Sequence, residues 1–208
     1  MAKITGMEAA HEVPPKVLAI YQAVERLIAA GEDINSVRVS AITELAGIGK
    51  GTAYDYFDTK DDIIACSLLY QIRMLTEGLQ EIFSGEESFA RQIGLCMDEI
   101  EKKNDKQQSF LRYVHIMTAN SGYCRLVKEK MKQPEFERYL PMGVLMEAAE
   151  RGKLRGEIKK ELPVEYVVYA VFSKLLTYMV SIHACDDFCA EPEKVRPYLY
   201  QSLLQELS

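Results

Sequence analysis

The sequence predicts an all-α protein of about nine helices. Apolar residues recur at spacings of three and four along almost the whole chain, and no convincing stretch alternates with a period of two. The chain has 208 residues, 48% of them hydrophobic, which is enough to bury a sizeable core without disulfide bonds. Periodicity and composition together therefore indicate a folded, helical protein.

The first helix is predicted to begin at Pro14 and Pro15, because proline is tolerated in the first turn of a helix. Gly31 follows the periodic stretch and is expected to end the helix. The apolar residues between them share one helical face, and they are Val17, Ile20, Tyr21, Val24, Leu27 and Ile28.

Three short elements follow the first helix. Residues 37–46 form a predicted helix, Gly47 and Ile48 a tight turn, and residues 50–57 a second short helix. A helix of this length is not stable alone, so its neighbours must hold it. Two helices joined at a steep angle by a short turn containing glycine make a helix-turn-helix.

A long helix is predicted to start at Thr59, because the pattern Thr59-x-x-Asp62 is a capping box. Its apolar stripe continues to about Phe83. A second such pattern, Ser84-x-x-Glu87, predicts the start of the next helix. The long helix connects an N-terminal domain over residues 1–60 with a C-terminal helical domain over residues 61–208.

Five further helices are predicted in the C-terminal domain. Three are shorter, over residues 110–118, 124–131 and 141–151, and Gly152 is expected to close the last of these. The final two are long and follow prolines: one extends from Pro163 past Ile182, and the other from Pro192 to Leu207.

Charge and apolar content limit the classes of function. Lys and Arg total 25 against 31 Asp and Glu, a formal net charge of −6, which argues against a generally basic nucleic-acid binder but not against a small local site. The apolar stretch 164–182 contains Glu165 and Lys174, so we expect a buried helix and no membrane span. The first fifteen residues show no signal-peptide pattern, and five scattered cysteines favour reduced thiols in a cytoplasm.

The segment from Ala46 to Lys60 reads AGIGKGTAYDYFDTK. It resembles the recognition-helix signature of the TetR family of one-component transcriptional repressors (TetR/AcrR-like). The preceding VSAITEL, residues 39–45, resembles the first helix of that family's helix-turn-helix, and the helix from Pro14 resembles its supporting helix. The resemblance implies a dimeric, ligand-responsive repressor that binds double-stranded operator DNA.

A recognition helix presents its N-terminal side chains to base edges in the major groove. The resemblance implies base contacts from Lys50 and Thr52, phosphate contacts from the two tyrosines and Lys60, and backbone contacts near the start of the preceding helix. The complete predicted set is Arg38, Ser40, Lys50, Gly51, Thr52, Tyr54, Tyr56 and Lys60. Residues 1–60 carry six basic and eight acidic side chains, so we expect modest, salt-sensitive affinity.

The resemblance also implies a pocket for a small apolar or amphipathic effector in the C-terminal domain. Any single candidate side chain is better explained by core packing, but together they favour a pocket. These candidates are Met74, Met97, Tyr113, Met117, Met142, Met146, Tyr169 and Phe172. The last two helices are long and apolar enough to form a four-helix bundle with a second copy, which predicts a homodimer.

The alternative is a helical small-molecule-binding or metal- or redox-sensing protein whose helix-turn-helix serves protein contacts. Its basis is the pattern His183-x-Cys185-x-x-x-Cys189, although the cysteine spacing differs from that of a zinc knuckle. We expect no metal and no cofactor. No G-x-S-x-G, H-E-x-x-H or P-loop pattern is present in the sequence, so we do not expect an enzyme.

Overall fold

The computed structural model describes residues 3–4, 6, 8, 12–102, 114, 118, 122–137, 139–183 and 191–208. Within these residues all regular structure is helical, which confirms the predicted all-α fold. The helices are α1 (Pro15–Ala29), α2 (Val39–Leu45), α3 (Lys50–Tyr56), α4 (Lys60–Phe83), α5 (Phe89–Glu101), α6 (Gly122–Met131), the single turn α7 (Pro134–Glu137), α8 (Pro141–Leu154), α9 (Val164–His183) and α10 (Pro192–Leu207).

The chain divides into two compact units. The first comprises Met1–Met74 and Gln108–Leu140, and the second comprises Leu75–Gln107 and Pro141–Ser208. The long helix α4 contributes residues to both units. These units do not coincide with the expected domains 1–60 and 61–208, and the division of functions at residue 60 stays a prediction.

In the first unit, α1 packs against the short helices α2 and α3. Its apolar face is buried as predicted, with Val17, Ile20 and Val24 fully inside the core. The predicted end of the helix is also confirmed. Gly31 has a φ of +79°, which glycine adopts without strain, and the amide of Glu32 donates to the carbonyl of Leu27 at 3.0 Å.

Only one of the two predicted capping boxes is formed. At the start of α4 the Thr59 amide donates to Asp62 Oδ2 at 3.0 Å, and the Asp62 amide donates to Thr59 Oγ1 at 3.0 Å. The prediction at Ser84 is wrong, since its amide still belongs to the end of α4 and donates to Gln80 O. Ser88 caps α5 instead, because it directly precedes the buried Phe89, whereas residues 84–87 are exposed.

In the second unit, α9 packs against α5, α8 and α10. The predicted end of α8 at Gly152 is wrong, because the helix continues to Leu154. Gly152 is a packing residue: a Cβ atom there would lie 2.7 Å from Ile158 Cδ1. The turn after the helix instead uses Gly156, whose φ is +74°.

A polar network joins α5, α9 and α10. The Arg196 guanidinium on α10 donates to Glu101 Oε1 at 2.6 Å and to the Asp98 carboxylate, both on α5. The hydroxyl of Tyr178, on α9, donates to the same Glu101 oxygen. Burial, followed by this hydrogen bond, raises the pKa of Tyr178 above its ordinary value. The phenol therefore stays protonated and serves as a donor.

One helix, over Val164–Ile182, is long and apolar enough to cross a membrane by length and composition, with a mean hydropathy of 1.2. It is also the central helix of the second unit, where Val167, Val171 and Tyr178 are buried. Because a core helix has the same length and apolar content, this feature is only weak support for a membrane span.

Candidate DNA-binding site

The turn between α2 and α3 has the geometry of a helix-turn-helix. Gly47 has a φ of +67°, a left-handed conformation that glycine adopts without a steric penalty. The Gly47 amide donates to Glu44 O at 3.1 Å, and the Ile48 amide donates to Thr43 O at 3.0 Å. The chain therefore leaves α2 and enters α3 within a few residues, which confirms the predicted tight turn.

One side of α3 is anchored in the core of the first unit. Ala53 is fully buried, and Phe57, directly after the helix, is 1% exposed. The Phe57 ring centroid lies 6.3 Å from that of Tyr21 on α1. This packing holds a seven-residue helix that is too short to be stable by itself.

The other side of α3 is open to solvent. Lys50, Gly51 and Tyr54 are exposed, and Thr52 is half-buried. Lys50 and Tyr54 are four residues apart, so their side chains are neighbours on one face of the helix. The structure thus places four of the predicted DNA-contact residues on α3, whose solvent-exposed residues also include the acidic Asp55.

Arg38 and Ser40 lie at the start of α2, exposed and half-buried respectively. Tyr56 is 7% exposed and contributes mainly to the core. The Lys60 ammonium donates to Asn35 O at 2.5 Å and to Val37 O at 3.2 Å, and thereby fixes the loop between α1 and α2. The DNA contacts of these four residues stay predictions, and two of them also support the fold.

Sequence reasoning missed residues near the N-terminus that pack against the helix-turn-helix. We call those that the structure describes, Lys3, Ile4, Gly6 and Glu8, the N-terminal arm. The Lys3 ammonium donates to Tyr54 O at 2.6 Å, and the Ile4 amide donates to Tyr56 O at 2.9 Å. No local sequence pattern marks these contacts, since they join residues about fifty positions apart.

Two buried titratable groups, Cys66 and Tyr21, lie near the N-terminal arm, and both stay protonated near neutral pH. Burial raises the pKa of the Cys66 thiol to about 12. Burial also raises the pKa of the Tyr21 phenol, with a smaller contribution from Cys66. Both groups are therefore neutral near pH 7. A reactive cysteine needs a lowered pKa, so Cys66 is not activated as a thiolate.

The structure places the predicted effector-pocket residues in different surroundings. Met97 is fully buried in the second unit, whereas Met146 and Tyr169 are 38% and 66% exposed. Met74, Met142 and Phe172 are half-buried. Tyr113 and Met117 lie outside the described residues. The pocket stays a prediction.

Among the residues that the structure describes, no group of three or more His, Cys, Asp or Glu side chains is arranged to hold a metal ion. Cys185 and Cys189, on which the sensing alternative depends, lie outside the described residues. The remaining cysteines, Cys66, Cys96 and Cys124, are buried and are not in disulfides.

An all-helical protein with an exposed, glycine-flanked second helix in a helix-turn-helix is typical of DNA-binding regulators. Residues 20–65 match the family described as bacterial regulatory proteins, tetR family. The match confirms, over these residues, the resemblance seen in the sequence to the DNA-binding segment of that family. None of the curated proteins matches this chain.

Several solved structures share the fold. The fatty acid degradation regulator FadR from Bacillus halodurans is 17% identical, with a TM-score of 0.67 over 92% of this chain and 95% of that one. FadR from Bacillus subtilis, in complex with stearoyl-CoA, is 18% identical, with a TM-score of 0.68 over 90% and 97%. A transcriptional regulator from Saccharomonospora viridis, in complex with choline, is 12% identical, with a TM-score of 0.67 over 92% and 96%. At these identities the likeness concerns the fold alone.

Proposed function

We propose that the protein is a homodimeric repressor, released from its operator by a small apolar or amphipathic ligand. It acts in the cytoplasm, by binding rather than by catalysis. The observation that carries the DNA-binding part is the exposed face of α3, with Lys50 and Tyr54 adjacent on a helix whose opposite side is locked in the core. We infer base contacts from Lys50 and Thr52 and phosphate contacts from Tyr54.

An exposed stripe on the last two helices supports dimerisation. On α9, side chains at helical spacing face solvent, namely Tyr166, Tyr169, Ser173 and Thr177. On the adjacent α10, Tyr198 is 75% exposed. Aromatic side chains are enriched in protein interfaces, where they bury a large area at a small entropic cost. Two copies of this surface would form a four-helix bundle about a twofold axis.

The ligand-responsive part rests on the helix shared by the two units and on the ligands in similar structures. Because α4 begins next to the recognition helix and continues into the second unit, a ligand that tilts α4 would also move α3. In a dimer the two recognition helices must match major grooves about 34 Å apart, so a small tilt lowers the affinity for DNA. Stearoyl-CoA, an amphipathic molecule bound to a regulator of this fold, is the first probe, and choline, a small cation bound to another, is a polar comparison.

The test uses a labelled duplex from the region upstream of the protein's own gene, titrated with protein at low and high salt. We expect saturable binding that weakens as salt increases. Addition of stearoyl-CoA should lower the affinity by about 5- to 150-fold, the usual range of allosteric coupling. Salt-independent binding, or an affinity that no apolar or amphipathic ligand changes, would contradict the proposal.

The dimer is tested with Tyr169→Glu, which places two charges in the proposed interface. We expect light scattering to give twice the mass of one chain for the wild type and a single mass for the variant, with weaker DNA binding. Leu154→Glu is the matched control, because Leu154 is 86% exposed but lies on α8. A dimeric Tyr169→Glu protein would place the interface elsewhere.

A further inference from the structure

We propose that Lys3 is a positioning residue for DNA binding, which sets the orientation of the recognition helix α3 without touching DNA. The proposal deepens the DNA-binding function and rests on it. It concerns a residue outside the segment that matches the TetR family, residues 20–65.

The Lys3 ammonium is fully used in the protein itself. It donates to Tyr54 O at 2.6 Å and to Phe57 O at 3.1 Å, and it pairs with Asp58 Oδ1 at 3.2 Å. An ammonium has three N–H donors, so these contacts leave none for a phosphate. Direct binding of DNA would therefore require Lys3 to release α3.

The position of these contacts suits a cation. The last carbonyls of a helix have no partner within the helix, and the helix dipole concentrates negative charge at that end. The helix has only seven residues, about two turns, so Tyr54 O lies about one turn from the exposed Lys50. Lys3 thus fixes the C-terminal end of the element whose N-terminal end reads DNA.

The rest of the N-terminal arm is held on α4. Ile4 O accepts a hydrogen bond from Cys66 Sγ at 3.9 Å, and Glu8 O accepts one from the Arg73 guanidinium. Gly6, with a φ of +83°, lies so close to α4 that a Cβ atom would be 3.0 Å from Cys66 Cα. The arm therefore follows about two turns of α4, and it links that helix to the end of α3.

The experiment compares Lys3→Met, Lys3→Arg and the control Lys16→Met, which removes an equally charged, exposed side chain at the start of α1. Binding of the upstream duplex is measured over a range of salt concentrations, and amide hydrogen exchange is measured in residues 50–58 without DNA. For Lys3→Met we expect about three- to tenfold weaker binding and faster exchange in α3. Lys3→Arg should keep both the DNA affinity and the exchange rate near their wild-type values, and Lys16→Met should leave exchange in α3 unchanged.

The salt dependence separates positioning from direct contact. If Lys3 acts through α3, the slope of log affinity against log salt stays at the wild-type value. A slope reduced by about 0.9 in magnitude, with unchanged exchange, would show a lost phosphate contact and overturn the proposal. Unchanged hydrogen exchange in Lys3→Met would also overturn the proposal, and this measurement needs no DNA. A wild type that fails to bind the duplex would count separately, against the DNA-binding function.

Discussion

The two units of this protein are stabilised in different ways. In the first, the short helices α2 and α3 pack on α1, and two lysines add contacts to main-chain carbonyls: Lys3 at the end of α3, and Lys60 in the loop before α2. In the second, α5, α9 and α10 are long, and they are joined by apolar packing and by the side-chain network around Arg196. The comparison shows how a short helix can keep one face exposed to solvent: core residues hold its opposite side, and distant residues hold its end.

The largest expected effect is alkaline destabilisation, to which each unit contributes one buried thiol. Burial raises the pKa of Cys66 on α4 and of Cys96 on α5 from 9.0 to about 12. Since the native thiols hold their protons more tightly, this stability is complete below about pH 9 and is lost as the pH rises toward 12. The free energy of unfolding should fall by about 1.4 kcal/mol per pH unit for each thiol in that window.

Urea unfolding at several pH values between about 8 and 11 measures this slope. Cys96→Ala should have a shallower slope than the wild type, because one buried group with a raised pKa is gone while Cys66, Tyr21 and Tyr178 remain. Equal slopes in the two proteins would mean that Cys96 does not contribute to the pH dependence.

The next effect concerns close packing in the second unit. Gly152→Val should lower the free energy of unfolding by about 3 kcal/mol, because Ile158 and Phe89 occupy the space that the new side chain needs. Gly143→Ala, in the same helix, is the control: no atom lies within 4 Å of its new Cβ, and we expect a gain of about 0.5–1 kcal/mol. Thermal unfolding of both variants checks the prediction, and similar losses would count against it.

Removal of the Arg196 guanidinium tests the side-chain network that joins α5, α9 and α10. Arg196→Met should cost about 2 kcal/mol of stability, because Asp98 and Glu101 lose their shared partner. Arg91→Met is the control, since Arg91 is 3.9 Å from Asp98 and more exposed, and we expect less than about 0.5 kcal/mol. If the two variants unfold alike in urea, the network does not stabilise the second unit.

Substitutions on the exposed face of α3 should change DNA binding and leave stability unchanged, in contrast to the substitutions in the second unit. Lys50→Ala should weaken DNA binding by about 1–2 kcal/mol and leave the melting temperature unchanged, because the side chain is exposed and its helix is held from the other side. Tyr54→Phe should have a smaller effect, through the loss of one phosphate hydrogen bond. Fluorescence anisotropy and thermal melting measure the two quantities, and unaffected binding would remove Lys50 from the contact surface.

The smallest effect is expected at the start of α4. Thr59→Ala removes the side-chain oxygen that accepts from the Asp62 amide and should cost about 1 kcal/mol. Ser84→Ala, at the matching position of the pattern that forms no cap, should be nearly neutral. Chemical unfolding of both variants compares the two serine/threonine patterns directly, and equal losses would contradict the assignment of the caps.

The features predicted correctly from the sequence are those whose causes are local. The turn at Gly47 and the capping box at Thr59 need only a few neighbouring residues, and the same is true of the family signature around Lys50. The patterns at Ser84 and Gly152 gave wrong predictions because tertiary packing determines the structure at both positions. The buried Phe89 determines where α5 begins, and the Ile158 side chain leaves no room for a Cβ atom at position 152. The role of Lys3 had no local signal, since its acceptors are 51 and 54 residues away.

The beginning of the recognition helix has a consequence for its encounter with DNA. Gly49 stands at the N-cap of α3, where a serine side chain would accept a hydrogen bond from the first turn. A hydrogen atom in its place leaves those amides hydrated while the protein searches for its operator. Under the proposed function, a phosphate oxygen at this end would displace water without breaking an intramolecular hydrogen bond.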